Sequence, residues 1–205
     1  MLRLPKATEI SQALPKKTIF AKFDLKSAQR EHFDEDISRM QIVNAISQTT
    51  IPTLQKGNDV ECIYIVEVML KKQDYDPKNL LLLSKLIPQK MLFALHYDGK
   101  LQLAIFHSKL ITGAWQNEDT ASLQLQGFDL DEVWDNLVMD VGSIELEEDY
   151  SLEAQIAADE AKAKLQREID QLEKKARSEK QPRKKLELYE ELRIKQRELL
   201  KSFQK

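Results

Sequence analysis

The chain of 205 residues has one cysteine, five glycines and six prolines. A single thiol, Cys62, excludes an intramolecular disulfide, and no Cys/His cluster has zinc-ligand spacing. Gly57, Gly99, Gly113, Gly127 and Gly142 are isolated, so there is no glycine-rich phosphate loop and no Walker or Rossmann signature. No apolar run reaches the roughly 18 residues of a membrane-spanning helix. The start, MLRLPKATEIS, lacks the apolar core and small-residue cleavage site of a secretory signal. A cytoplasmic location without membrane contact is therefore expected. Cys62 lies in an apolar run and reads as a buried thiol.

Charge and periodicity are what the chain has in quantity. Hydrophobic residues make up 42% and charged residues 32%, as expected of a globular body with an exposed helical rod. Residues 1–149 hold 16 basic and 23 acidic side chains, a net of −7, and residues 150–205 hold 15 and 11, a net of +4. An acidic body with a basic tail points to an anionic partner for the tail, or to tail–body contact. A solvated helix surface is the simpler reading.

Along the chain, residues 8–14 read as a short helix and "LPKKTIFAKFDL" (14–25) as an extended segment alternating around Ile19 and Phe23. A polar helix is expected over 26–38, with Ala28, Phe33 and Ile37 as its apolar stripe. "MQIVNAIS" (40–47) has strand character, and Pro52 and Gly57-Asn58 mark loop. "VECIYIVEVML" (60–70) is the best strand, apolar almost throughout, as befits a strand covered on both faces. Asp76-Pro77 opens a helix over 77–87, since Asp caps free N–H groups and proline is tolerated at the first helical position. Two apolar runs flank Asp98-Gly99 and predict a type I′ hairpin. Strand 60–70, helix 77–87 and strand 90–97 make a strand–helix–strand unit, and the hairpin adds an antiparallel member. "ITGAW" and "ASLQLQG" read as further edge strands. "DLDEVWDNLVMDV" (129–141) reads as an amphipathic helix that gathers Leu130, Val133, Trp134, Leu137, Val138 and Val141 on one side.

The period then changes. Ala154, Ala158, Ala161, Leu165, Ile169, Leu172 and Ala176 form a coiled-coil-like seam. After Pro182 a second stripe contains Leu186, Leu188, Leu192, Leu199, Leu200 and Phe203. Each stripe is marginal alone and needs a partner. Proline inside a helix costs about 3 kcal/mol but is tolerated in the first turn, so residues 178–181 become a turn between two antiparallel helices. An intermolecular coiled coil is the alternative. Seven of the twelve residues 174–185 are basic, and they gather at the turn: Lys174, Lys175, Arg177, Lys180, Arg183, Lys184 and Lys185.

"LPKKTIFAK", "VEVMLKK", "IPQKMLFALHYDGKLQLAI", "GFDLDEVWDNLV" and the basic helical tail, in this order, resemble the bacterial domain-of-unknown-function family 4391. The resemblance covers nearly the whole chain. It implies a bacterial cytoplasmic protein with this body and tail. It also implies an association with DNA helicases and methyltransferases, and hence with restriction or phage defence. It brings no catalytic residues with it.

Chemistry is sparse. Nuclease folds place an acid and a lysine two positions apart on one strand, so that both reach one metal-bound phosphate. Here Met69 follows Glu67 at that spacing, and Lys71 lies about 13 Å along the strand at ~3.3 Å per residue. Glu61-Cys62-Ile63 lacks the lysine too. Glu61, Glu67 and Lys71 are the catalytic candidates of a phosphate-directed enzyme; the structural reading makes Glu67 a satisfied polar residue and Lys71 a strand end. His96 and His107 sit on opposite hairpin arms about 20 Å apart, too far to share a metal. His32 reads as exposed. No Ser/His/Asp or Cys/His set assembles, and no cofactor or metal is implied. The basic cluster suits phosphates without sequence preference, and lacks the interleaved aromatics that base stacking needs.

The expected architecture is α/β in the α+β sense: a mixed sheet with flanking helices over 1–142, an acidic linker over 143–150, and a helical hairpin over 151–205. The expected role is a non-catalytic binding or adaptor component whose tail docks a partner protein or DNA, or self-associates. A metal-dependent nuclease and a self-assembling structural protein are the alternatives.

Overall fold

The run around residues 60–70 becomes the central strand of the fold. In a computed structural model, which describes residues 2–147 and 150–202, Ile63–Leu70 (β3) lies between an antiparallel neighbour, Ile37–Ile46 (β2), and a parallel one, Lys90–Tyr97 (β4). Lys100–Phe106 (β5) continues antiparallel through the predicted two-residue turn. Asp98 and Gly99 both take positive φ, 48° and 70°, as a type I′ turn requires. Glu9–Ala13 (β1) pairs with β2, while Leu110–Thr112 (β6) and Gln116–Asn117 (β7) both pair with β5. The result is a mixed seven-stranded sheet.

Side-chain alternation gives the sheet two faces. Val66, Val68, Met91, Phe93 and Leu95 point to one, where Ile19, Phe33, Leu80 and Leu83 cover them. Those four come from the helices Lys16–Lys22 (α1), Ser27–Asp36 (α2) and Pro77–Ser84 (α3). The sixfold apolar pattern near residue 135 forms Leu130–Gly142 (α4), with all six side chains buried. This helix meets the opposite face: Lys90 Nζ lies 5.2 Å from the Trp134 ring centroid, and Trp134 Nε1 donates to His107 Nδ1 at 3.1 Å. Asp131, in the first turn of α4, accepts backbone N–H groups from Asn58 and Val60 at 2.6 and 2.8 Å. A methyl group on Gly57 would lie 2.3 Å from its Oδ1, so only glycine fits the loop there.

The crossover between the parallel strands is pinned by Asp36, which is fully buried. Its carboxylate accepts from Asp76 N–H at 2.7 Å and Asn79 Nδ2 at 2.8 Å, and Lys72 Nζ stands 2.7 Å from its other oxygen. Its own carbonyl accepts from Lys71 N–H. One residue thereby ties the end of α2, the end of β3 and the start of α3. Asp76 in turn caps α3, as expected, by accepting from Lys78 N–H.

Four expectations give way. Residues 8–14 are not a helix: a 3-10 turn, Lys6–Thr8, precedes β1, whose pairing with β2 overrides its weak local preference. Residues 14–25 are not extended: Ile19 and Phe23 are four apart, a helical spacing, and α1 occupies most of the stretch. "ASLQLQG" finds no strand partner; Ala121 and Leu123 are buried, and Leu123 N–H donates to Leu2 O. Of the polar helix's apolar stripe, Ala28 is exposed, and Ile37 already belongs to β2.

The chain divides into two compact units, Met1–Glu145 and Leu146–Lys205. In the second, Leu152–Ser178 (α5) and Pro182–Ser202 (α6) form the antiparallel helix pair, with Pro182 as the first residue of α6. Ser151 Oγ caps α5 by accepting from Ala154 N–H at 3.2 Å. The seam between the helices joins Leu165, Ile169 and Leu172 to Leu188, Leu192 and Leu199, and Lys195 Nζ bridges to Glu168 at 2.5 Å. Ala154 and Ala161 are exposed, so the useful contact starts near Leu165. Phe203 and residues 148–149 of the acidic segment lie outside the described residues. Among the described residues no helix is long and apolar enough to cross a membrane.

Two measurements test this architecture. Burial works against ionising Asp36, but Lys72 and the Asp76 N–H outweigh it and hold the carboxyl below the ordinary 3.8. Its stabilisation is therefore present above that pH and fades as pH falls through the folded-state value. Urea titrations should show this acid-side loss in the wild type and a flatter profile in Asp36→Asn. Leu192→Ala removes the most buried α6 side chain of the seam and should cost about 2–3 kcal/mol, read as earlier loss of helical circular dichroism.

Candidate functional site

The parallel register of β3 and β4 sets Met69 opposite His96 and Glu67 opposite Ala94. Glu67 and His96 thus share a face at the carboxyl ends of the two strands. Both are buried, at 8% and 5% relative exposure. His96 Nδ1 lies 3.2 Å from Glu118 Oε2, and its Nε2 lies 3.8 Å from Glu67 Oε1. Gln41, across on β2, donates to Glu67 Oε2 at 2.5 Å. Nε2 is buried and has no hydrogen-bond partner, an arrangement that costs about 1–3 kcal/mol.

Arg3, Arg39, Glu67, His96, Glu118 and Asp119 line a groove of about 470 Å³ here, floored by Leu2, Met69 and Ala121. Neither arginine takes part in an ion pair among the described residues. The groove contains no Ser or Cys nucleophile. Among the described residues no three His, Cys, Asp or Glu side chains are grouped to hold a metal ion. Its chemistry is that of a hydrogen-bonding and ion-pairing pocket built around an imidazole held between two carboxylates.

The other catalytic candidates lie elsewhere. Glu61 is exposed, pairs with Lys56 and lines a separate groove of about 280 Å³ with Cys62 and Lys90. Lys71 is exposed beyond the end of β3 and lines neither groove. Glu61, Glu67 and Lys71 do not converge. The partner that Glu67 does find, His96, is legible from a parallel pairing of strands 60–70 and 90–97, which brings their carboxyl ends side by side. Glu118 and Arg3 are not legible, because they arrive on loop and N-terminal segments without a pattern. The two hairpin histidines are separate, as expected: His96 pairs with Leu101 in register, whereas His107 serves Trp134. His32 is half exposed beside Asp76.

At the hairpin turn, Lys174, Lys175, Arg177, Lys180, Arg183 and Lys184 are exposed and Lys185 is half-buried. Arg177 and Arg183 make long i,i+4 contacts of 3.5 Å to Glu173 and Glu187; the five lysines form no ion pair among the described residues. Glu179 accepts from Gln181 N–H at 2.8 Å, which holds its carboxyl below the usual range and fixes the turn.

A mixed seven-stranded sheet with flanking helices and a C-terminal helix pair makes this an α+β protein. The chain belongs to the family described as domain of unknown function (DUF4391), whose model matches residues 2–199. No curated protein and no solved structure matches it.

Cys62 is half-buried, and burial pushes its thiol above the ordinary 9.0. Because the thiolate is the reactive form, alkylation by iodoacetamide at pH 8 should run several-fold slower than for free cysteine, and urea should abolish the difference.

Proposed function

We propose that the protein is a non-catalytic docking component whose helical hairpin binds a partner protein, in the setting of a DNA-processing or phage-defence complex. The observation that carries this reading is that α6 has apolar side chains on two faces and α5 uses only one. Leu186, Tyr189, Ile194 and Leu200 are 62%, 41%, 57% and 64% exposed. Leu186, Tyr189, Arg193, Arg197 and Leu200 recur at spacings of three or four, one helical stripe turned away from the seam. Exposed apolar residues rimmed by polar ones are the make-up of an interaction surface. Arginines within it favour a partner helix with apolar positions flanked by acidic ones. The defence setting rests on the family's implied association with helicases and methyltransferases. The lysines of the turn add a sequence-independent attraction for phosphates, sensitive to salt.

The test is capture from host lysate with the full chain, with Leu186→Lys/Leu200→Lys, and with a truncation lacking residues 150–205. Specific partners retained by the wild type and lost by both variants, with helical content unchanged in the double variant, support docking through α6. Partners retained by both variants overturn it. Light scattering against concentration separates the remaining outcomes: growth of wild-type particles that the double variant abolishes marks self-assembly, whereas retention of DNA alone, lost in high salt, marks the basic turn.

A further inference from the structure

The groove beside His96 is unused by hairpin docking and has unmet bonding of its own. We infer that it binds a small zwitterion carrying a primary ammonium and a carboxylate, the chemistry of a free amino acid.

The position favours a ligand: the groove opens at the carboxyl ends of adjacent parallel strands, where open α/β sheets receive theirs, and its volume of about 470 Å³ suits a small molecule.

The hydrogen bonding specifies what the ligand must bring. His96 Nδ1 lies 3.2 Å from Glu118 Oε2, which ties the ring to that carboxylate. Nε2 lies 3.8 Å from Glu67 Oε1, beyond hydrogen-bond range, so that carboxylate oxygen receives no donor from the ring. Gln41 already serves the other oxygen of Glu67. An ammonium group supplies three donors and a positive charge beside two carboxylates. Nε2 itself is closed to water, so the ammonium seats on the Glu67 and Glu118 carboxylates that line the groove.

The charges specify the other end. Arg3 and Arg39 are exposed and outside any ion pair among the described residues. Guanidinium groups take a carboxylate in a two-point hydrogen bond. Two guanidiniums face three carboxylates, Glu67, Glu118 and Asp119. A ligand that is only anionic meets repulsion there, and one that is only cationic leaves the arginines unserved. A molecule with both charges answers both.

The experiment is thermal unfolding and calorimetry of the full chain with each common amino acid. Methylamine and acetate serve as single-charge probes and inorganic phosphate as the rival anion. At least one amino acid should raise the melting temperature in a concentration-dependent way, and neither single-charge probe should match it. Arg39→Gln and Glu118→Gln, both at exposed positions, should each weaken binding about tenfold or more. Absence of any amino-acid binding in the millimolar range, a phosphate response in its place, or binding unchanged in Arg39→Gln overturns the assignment.

Discussion

The parallel pairing of β3 with β4 is the constraint from which the rest of the body follows. Parallel neighbours need a crossover, and α3 provides it on the face covered also by α1 and α2. The crossover can start only where β3 ends, and the buried Asp36 carboxylate marks that point by holding Lys72, Asp76 and Asn79 together. The same register sets the carboxyl ends of β3 and β4 side by side, and so creates the Glu67–His96 encounter. Structure and candidate chemistry share one cause.

Much of this was legible in the residues where local chemistry and tertiary demand agree. Asp98-Gly99 tolerates the positive φ of its turn, Asp76-Pro77 caps and opens a helix, and the six apolar residues of α4 are all buried. Pro182 stands at the start of α6, where its missing N–H costs nothing. Legibility failed where tertiary pairing decides. β1 is short and mostly exposed, and only β2 makes it a strand. "ASLQLQG" alternates like a strand but pairs with none, and its Leu123 N–H donates to Leu2 O instead. Within the candidate groove, Glu67 was visible by its oddity in an apolar strand. His96 needed the pairing register, and Glu118 needed the fold itself.

The two units solve burial differently. The body covers both faces of a sheet and fully buries large side chains such as Trp134, Phe33 and Phe93. The hairpin has one seam, with Ile169, Leu172 and Leu192 at its centre, and leaves the back of α6 to solvent. Its stability rests on few contacts, as in any two-helix unit with a single apolar interface. A two-helix unit with one apolar seam gains rigidity from whatever covers its second face.

Both tryptophans, Trp115 and Trp134, belong to the body, whereas α5 and α6, with 27 and 21 residues, hold the larger share of the helical backbone. The molecule therefore carries separate optical labels. Indole emission follows the sheet layer, and the far-ultraviolet helix signal is weighted toward the tail. Melting curves recorded in the two channels superimpose only if the units unfold as one cooperative system, so an unmodified sample reports how tightly head and tail are coupled.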